Sequence, residues 1–157
     1  STASLSTTIT SLHLDWTDFS STAIDALLHM IPHLTHAFFG ANHNRLPNAN
    51  TMALKALKNN CRHIHSLKVA LQQIHPTMIS RLITYYGDQL IRLDIRCEDV
   101  TTLKAVAQHA KRIRQLNTGD TNRNAIQRIV QHCGRLTFME MISWGIQDIP
   151  TVILEVM

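Results

Sequence analysis

Cysteine and histidine side chains are the residues of this chain that could support metal chemistry, and one short segment holds Cys61, His63 and His65. Thiolate and imidazole are ligands that zinc prefers, but a zinc site needs three or four of them converging on one point. Cys61 belongs to an apolar helical stripe, His63 lies in a predicted turn and His65 begins the next predicted strand. We therefore expect no metal site and no cofactor.

Enzymatic chemistry is not expected either. The chain has five glycines and contains no G-x-S-x-G, P-loop, G-x-G-x-x-G, H-E-x-x-H or paired-cysteine motif. The cysteines at positions 61, 97 and 133 are odd in number and widely spaced, which is typical of reduced proteins and not of disulfide frameworks. A nucleophilic Cys–His pair assembled by the fold stays open, although Cys61 and Cys133 have core positions in the pattern.

The composition is that of one soluble globular domain, expected in the cytoplasm or the nucleus. Apolar residues make up 45% and charged residues 17% of the 157. Residues 1–8 are polar, and no window of about 18 uncharged apolar residues occurs, so neither a secretion signal nor a membrane span is expected. The net charge of +4 comes from scattered basic residues and not from a run, which disfavours nucleic acid as the partner.

The elements that must position these side chains follow from a repeated pattern. Six segments read apolar-x-x-apolar-x-apolar, and their first residues lie 23 to 30 positions apart. Alternating apolar and polar residues at the end of each segment predict a short strand with one buried face. Apart from the threonine, the residues of the pattern are all apolar; they are Ile9, Leu12, Leu14, Leu34, Ala37, Phe39, Ile64, Leu67, Val69, Leu90, Leu93, Ile95, Ile113, Leu116, Thr118, Leu136, Met139 and Met141.

A second pattern with a helical period follows each predicted strand. Apolar residues recur there at i, i+3, i+4 and i+7, which predicts an amphipathic helix with one buried side. Ser21, Asn50 and Asn122 are candidates to cap helix N-termini. Two of the predicted stripes are Ile24, Leu27, Leu28 and Ile31 in the first unit, and Ile126, Ile129, Val130 and Cys133 in the fifth.

We therefore expect an α/β fold of six strand–helix units in one domain, at 9–33, 34–63, 64–89, 90–112, 113–135 and 136–157, after a polar segment at 1–8. The second unit is long because of the Asn-rich segment 41–50, which we interpret as a surface loop that could also take part in binding. Neither end carries a polar cap, so we expect an excerpt of a longer protein, whose ends associate with further repeats or with another chain.

These units resemble leucine-rich repeats, whose signature reads L-x-x-L-x-L-x-x-N/C-x-L. The likeness spans residues 9 to 157, but Asn42 alone keeps the signature asparagine. Helices that end in Cys61-x-x-Ile64 and Cys133-x-x-Leu136 are similar to the ribonuclease-inhibitor-like, cysteine-containing repeats of F-box proteins.

The resemblance implies a solenoid with parallel strands on the concave face of an arc and helices on its convex face. It implies the substrate-recognition region of an F-box subunit of a cullin-RING ubiquitin ligase, which is a protein-binding region and not an enzyme. Such a subunit meets the ligase adaptor through its F-box, a segment that this sequence does not contain.

The predicted binding site is the concave face, because side chains alternate along a strand and the apolar ones point inward. Phe38 and Phe138 would be large apolar groups facing water, and aromatic groups beside arginine are typical of protein interfaces. A neighbouring loop that covers the phenylalanines, and acidic side chains that neutralise the basic ones, remain the alternative interpretation. The candidate binding residues are His13, His36, Phe38, Lys68, Arg92, Asp94, Arg96, Asn117, Phe138 and Glu140.

Two other functions stay open. A solenoid that binds RNA or an anionic surface could use Lys68, Arg92 and Arg96, although stacking aromatic residues along that strip are missing. A leucine-rich-repeat scaffold or GTPase regulator without a link to ubiquitin would share the same pattern. An F-box in the complete reading frame would separate the ubiquitin-ligase subunit from this last class.

Overall fold

Strands and helices alternate along the chain in its computed structural model, which describes residues 4–15, 18–40, 48–71, 73–96, 100–119 and 122–141. The strands are β1 (Ser11–Leu14), β2 (His36–Phe39), β3 (Ser66–Val69), β4 (Arg92–Ile95), β5 (Gln115–Thr118) and β6 (Phe138–Met141). The helices are α1 (Ser21–Met30), α2 (Ala49–Asn60), α3 (Pro76–Tyr86), α4 (Val100–His109) and α5 (Arg123–His132). The predicted α/β class is confirmed, and the predicted sixth helix, at 149–157, lies outside the described residues.

The six strands form one parallel sheet in the order of the sequence. Each strand pairs with the next at equivalent positions of the repeat, so that Ser11 lies beside His36 and His36 beside Ser66. The same main-chain bond joins successive units, because the carbonyl oxygen before one strand accepts two N–H groups at the start of the next. The Thr10 oxygen, for example, accepts from Thr35 at 2.8 Å and from His36 at 3.0 Å.

The five helices form one layer, since each helix packs against its successor. Asn122 caps α5 as predicted, and its side chain accepts from the N–H of Ala125 at 3.1 Å. The cap of α1 is Ser20, one residue before the predicted Ser21. The predicted cap Asn50 is wrong, because α2 begins at Ala49 and Asn50 lies buried in its first turn. Of the predicted loop 41–50, residues 41–47 lie outside the described residues.

The third unit carries one extra residue, and a single turn of 3-10 helix at Gly87–Gln89 accommodates it. The turn requires a left-handed backbone, since Gly87 has φ of 49°, a conformation that costs glycine little. Tyr86 thereby takes the place that Cys61 and Cys133 hold after their helices. The departure of this unit from the repeat is thus absorbed between helix and strand.

The inward-facing positions of β2 to β5 are buried in the core as predicted, whereas Leu12, Leu14, Met139 and Met141 on the outer strands β1 and β6 are only partly buried against it. Leu67, Leu93 and Leu116 are completely buried on adjacent strands. Ile9, which begins the first triplet, is 44% exposed although its later counterparts are fully buried in four units. It precedes the first strand, so no earlier unit covers it.

Leu27 and Val130 were predicted in buried helical stripes, and both are exposed. Leu57 in α2 and Val106 in α4 occupy the same repeat position as Leu27, and both are fully buried on the side that faces the preceding helix. No helix precedes α1 among the described residues, so Leu27 is not covered in this way. Val130 lies on the opposite side of α5, which in α4 is covered by the next helix. Both positions stand at the outer helices of the described layer, so a periodic pattern alone overstates their burial.

Buried donors join the C-terminal ends of three helices, α1, α2 and α4, to the following unit. The Cys61 thiol donates to the carbonyl oxygens of Leu28 and Ile31 at 3.8 and 3.7 Å. Tyr86 donates from its hydroxyl to the Cys61 oxygen at 2.8 Å, which lies at the end of α2. Carbonyl groups at helix C-termini lack intrahelical partners, and Tyr86 satisfies the buried Cys61 oxygen in this way. The Leu28 and Ile31 oxygens also accept from the main-chain N–H groups of Ile31 and Leu34 at 3.3 and 3.4 Å, so the Cys61 thiol adds a second bond to each.

The Cys133 thiol repeats this arrangement at the end of α5, where it donates to the oxygens of Val106 and Ala110 at 3.9 and 3.6 Å. Burial raises the pKa of Cys133, an effect that the nearby Lys111 ammonium opposes. Burial raises the pKa of the Cys61 thiol from 9.0 to about 11. Both cysteines were predicted in the core, and their thiols are in addition donors between units.

The free energy of unfolding is expected to fall as the pH rises from 9.0 to about 11. In that window the unfolded chain has lost the Cys61 proton while the folded chain keeps it, so the unfolded state binds fewer protons and is favoured by rising pH. Urea denaturation followed by circular dichroism at a series of pH values measures the effect.

Cys61→Ala is the matched variant for this pH dependence. Its stability should fall less steeply over the same window, with the remainder due to Cys133 and Tyr86, whose pKa values burial also raises. A wild-type stability that stays constant between these pH values would contradict the prediction.

Among the helices that the structure describes, none is both long enough and apolar enough to cross a bilayer.

Candidate binding face of the sheet

The side of the sheet opposite the core carries two rows of side chains, here called the exposed sheet face. In each strand the second and fourth residues point to the core, so the first and third residues point away from it. One row holds Ser11, His36, Ser66, Arg92, Gln115 and Phe138, and the other holds His13, Phe38, Lys68, Asp94, Asn117 and Glu140.

Nine of the ten candidate residues therefore lie in these two rows. The tenth, Arg96, is exposed and follows β4 directly, with its N–H donating to the Val69 oxygen at 3.4 Å. Ile142, which was predicted on the same face, lies outside the described residues. The sheet thus brings together side chains that are far apart in the sequence, because each unit contributes one strand.

Phe38 is the centre of a compact cluster on this face. The His13 ring packs edge-on against it, with centroids 3.8 Å apart, and the Lys68 Nζ lies 4.5 Å from its centroid on the other neighbouring strand. A cation above an aromatic ring is attracted by the ring's negative face. Gly40 follows β2 so closely that a Cβ there would come within 2.9 Å of the Phe38 ring and would collide with the Asp15 carboxylate.

Phe38 is consequently half-buried, and the residues flanking it belong to adjacent strands. The alternative in which a loop covers this ring concerns 41–47, which lie outside the described residues. In the described part of the chain, the Phe38 ring lies between the His13 imidazole and the Lys68 ammonium group. These contacts on neighbouring strands restrict the orientation of the ring.

The burial of Asp94 was not expected from the sequence. This carboxylate lies on the exposed sheet face, yet only 8% of the residue is exposed. Its Oδ2 lies 3.5 Å from the Lys68 Nζ and accepts from the Asn117 Nδ2 at 3.4 Å. Buried carboxylates need such partners. The prediction that acidic groups neutralise the basic centre is therefore right for Lys68, while Arg92 and Arg96 point to solvent without a carboxylate partner among the described residues.

A cavity of about 170 Å³ opens on the exposed sheet face over β1 to β4. Its polar lining includes His13, His36, Lys68 and Arg92, and its apolar floor includes Phe38. The Nδ1 of His36 is within 2.8 Å of the Thr35 hydroxyl, which restrains that ring. The cavity offers an aromatic surface with cationic and neutral donors around it, a combination suited to a side chain of a partner protein.

Phe138 does not belong to this cluster. It is 50% exposed on β6, and three strands separate it from β2. With strands about 4.8 Å apart, the two phenylalanines lie about 19 Å from each other. A partner that contacts both must therefore extend across most of the sheet.

The described residues include histidine, cysteine and acidic side chains, which are the types that metal sites and nucleophilic catalysis use. No group of three or more His, Cys, Asp or Glu side chains there is placed to hold a metal ion. Cys61 is completely buried, whereas His63 and His65 are exposed, so these three side chains do not converge. With its pKa raised to about 11, the Cys61 thiol stays protonated at neutral pH, which is the opposite of an activated nucleophile.

Sequence reasoning placed Lys68, Asp94 and Asn117 on one face but missed that a single carboxylate contacts both neighbours and so links three strands. A usable signal existed, because these residues occupy the same position in three successive units and must therefore be neighbours in a sheet with sequential order. Because Asp94 pairs with Lys68, only Arg92 and Arg96 of the three basic candidate residues have no carboxylate partner among the described residues.

Neither a scan against protein-family models nor a search of curated proteins finds a match to this chain.

Proposed function

We propose that this chain is a leucine-rich-repeat solenoid that binds another protein through the exposed sheet face. We further propose that it is the substrate-recognition region of an F-box subunit of a cullin-RING ubiquitin ligase and not an enzyme. The observation that carries the binding proposal is the cavity where Phe38, Lys68 and Arg92 meet on adjacent strands.

Contacts that recur from unit to unit support the solenoid architecture. Each strand pairs with the next at the same repeat position, and each helix contacts its successor. The buried donors Cys61, Tyr86 and Cys133 all reach back to the preceding helix. Contacts limited to nearest neighbours are the property that distinguishes repeat proteins from globular ones.

The chemistry of the exposed sheet face supports a protein partner over RNA. Interfaces are anchored by aromatic side chains and arginines in desolvated pockets, and Phe38 with Arg92 provides such a pair around a cavity. RNA-binding strips instead need several stacking rings alternating with free cations. On this face Lys68 is already engaged by Asp94, which leaves less positive charge for phosphates.

Affinity capture with the immobilised chain tests the binding proposal. Proteins retained from a cell extract and quantified by mass spectrometry should include partners that are lost with Phe38→Ala/Arg92→Ala/Arg96→Ala. Truncating interface anchors costs 2 kcal/mol or more, so the loss should be about tenfold or greater. Arg92 and Arg96 are exposed, and Phe38 lies on the side of the sheet opposite the core, so this variant is expected to fold, which circular dichroism of the purified variant checks.

The matched control is Met52→Ala/Lys55→Ala/Arg62→Ala, which removes one apolar and two basic side chains that are exposed in and after α2. It should retain the same partners as the wild type. If both triple variants lose them equally, or neither does, the exposed sheet face is not the binding surface.

The link to ubiquitin rests on the Cys-x-x-apolar ends of the helices and needs a separate test. Partners captured through the exposed sheet face should accumulate in cells when the full reading frame is deleted, and an F-box should be found in that reading frame. Partners whose level and ubiquitination do not change would favour a scaffold or GTPase regulator with the same fold.

A further inference from the structure

The grooves between neighbouring helices form a second surface, on the other side of the molecule from the exposed sheet face. Between α4 and α5 lies a cavity of about 310 Å³, here called the basic groove, lined by Lys104, Ala107, Gln108, Lys111, Arg128 and His132. All but Ala107 are polar, and three carry a permanent positive charge.

Among the described residues, no carboxylate neutralises the three cations of the basic groove. None of Lys104, Lys111 and Arg128 forms an ion pair there, and the pair between Lys68 and Asp94 lies on the other surface. Asp88 contacts Lys111 through the main chain, since its Oδ1 accepts from the Lys111 N–H at 3.3 Å. This bond holds the turn after α4 and does not involve the Lys111 ammonium group.

His132 completes the basic groove. Its Nδ1 lies 2.8 Å from the Arg128 carbonyl oxygen, and because a carbonyl oxygen can only accept, Nδ1 is the donor in this bond. The bond fixes the tautomer of the neutral ring, and protonation of the other nitrogen would add a fourth positive charge. The groove is thus lined by donors, with Gln108 supplying an amide beside them.

The equivalent groove between α1 and α2 shows that charge, and not shape, distinguishes the basic groove. That cavity measures about 430 Å³ and contains one acidic and one basic side chain, Asp25 and Lys55. Asp25 also accepts from the Asn60 Nδ2 at 3.0 Å. A groove therefore also forms between α1 and α2, but there the lining carries opposite charges, whereas the lining between α4 and α5 carries three cations without an ion pair among the described residues.

Several like charges around one cavity repel each other, and an anion placed between them relieves this repulsion. Phosphate suits the site, because arginine binds it through two parallel N–H groups and lysine binds it as a point charge. Phenylalanine, tyrosine and tryptophan are absent from the described lining of the basic groove, so the large rings on which successive nucleobases stack are missing, and Ala107 is too small to anchor a protein interface.

We propose that the basic groove binds a ligand with two or more closely spaced phosphate groups. Its source is either a soluble oligophosphate or the headgroup of a phosphorylated lipid, which share the chemistry that Lys104, Lys111 and Arg128 recognise. The groove lies apart from the exposed sheet face, so this site is independent of the protein-binding proposal.

Thermal unfolding of the whole chain with tripolyphosphate tests the site. Saturating tripolyphosphate should raise Tm by about 5–10 °C at roughly a hundredfold excess over its Kd. Inorganic phosphate at matched ionic strength should raise it much less, since it carries less negative charge and fewer acceptor oxygens than tripolyphosphate. The variant Lys104→Gln/Lys111→Gln/Arg128→Gln should lose the shift, and without ligand it should be at least as stable as the wild type.

Lys55→Gln, in the mixed-charge groove, is the matched control and should keep the full shift. Lys111→Gln alone provides a milder variant with a partial loss. The proposal is overturned if the triple variant keeps the shift, if the control loses it equally, or if inorganic phosphate produces the same shift.

The two sources are separated by sedimentation with phosphatidylcholine vesicles that contain or lack a phosphorylated inositol lipid. Sedimentation that requires the phosphorylated lipid and is lost in the triple variant identifies a headgroup. A Tm shift without sedimentation identifies a soluble ligand. Absence of both results overturns the proposal.

Discussion

Leu93→Ala is expected to lower the free energy of unfolding by about 2–5 kcal/mol. Leu93 is completely buried in β4, at the middle of the sheet, between Leu67 on β3 and Leu116 on β5. Removing its side chain deletes buried methyl groups and leaves a cavity that three rigid strands cannot close. Urea denaturation followed by circular dichroism measures the loss.

Ile91→Ala is the matched control, since Ile91 is an aliphatic residue two positions earlier and is 42% exposed. Its main-chain N–H, which donates to the His65 oxygen at 2.8 Å, is unchanged by the substitution. We expect a loss of less than about 1 kcal/mol. Equal losses in the two variants would mean that the burial assigned to Leu93 is wrong, together with the register of β4.

Tyr86→Phe is expected to lower the free energy of unfolding by about 1–3 kcal/mol, although it removes a single oxygen atom. The Tyr86 hydroxyl is buried and donates to the oxygens of Cys61 and Leu57 at 2.8 and 3.3 Å. Phenylalanine keeps the ring in the core but leaves the Cys61 carbonyl without this donor, in a place that water does not reach. The same denaturation experiment measures the change.

Tyr85→Phe is the matched control, which shows whether the loss of stability comes from removing any tyrosine hydroxyl or from removing a buried, hydrogen-bonded one. Tyr85 is the preceding residue and is 41% exposed, with the Lys58 Nζ 5.2 Å from its ring centroid. Phenylalanine retains the ring for this contact and for the edge-on contact with Tyr86, so the change should stay within about 0.5 kcal/mol. If Tyr86→Phe proves as mild as Tyr85→Phe, the proposed link between the third unit and α2 contributes little to stability.

Both predictions concern contacts between units. The sequence predicts the elements of each unit, whereas the contacts between units appear only in the structure. The pattern apolar-x-x-apolar-x-apolar predicted six strands, and all six are found in parallel, in sequential order. The helical pattern at i, i+3, i+4 and i+7 predicted burial at Leu27 and Val130, where the structure has exposed side chains. A period of 3.6 residues identifies the side of a helix but does not tell whether a neighbour covers it.

The candidate site divides in the same way. Alternation along the strands was sufficient to assign Phe38, Lys68 and Arg92 to one face, because successive side chains point to opposite sides of a sheet. The sequence did not predict that Asp94 would lie within ion-pair distance of Lys68. It also led us to expect an Asp94 side chain that is more exposed than the structure shows. The basic groove was not predicted at all, since its residues come from two helices and are scattered in the sequence.

By itself, the sequence determined the alternation of strand and helix, the position of each strand and the face to which each strand residue points. These follow from local periodicity, because the geometry of a strand or a helix decides which neighbours along the chain share a side. Only the tertiary structure decided which polar groups meet across units, such as Tyr86 with the end of α2 and Asp94 with Lys68, and which side chains of α4 and α5 line the basic groove. Such meetings depend on the distance and angle between elements, which side-chain packing sets and which no local pattern records.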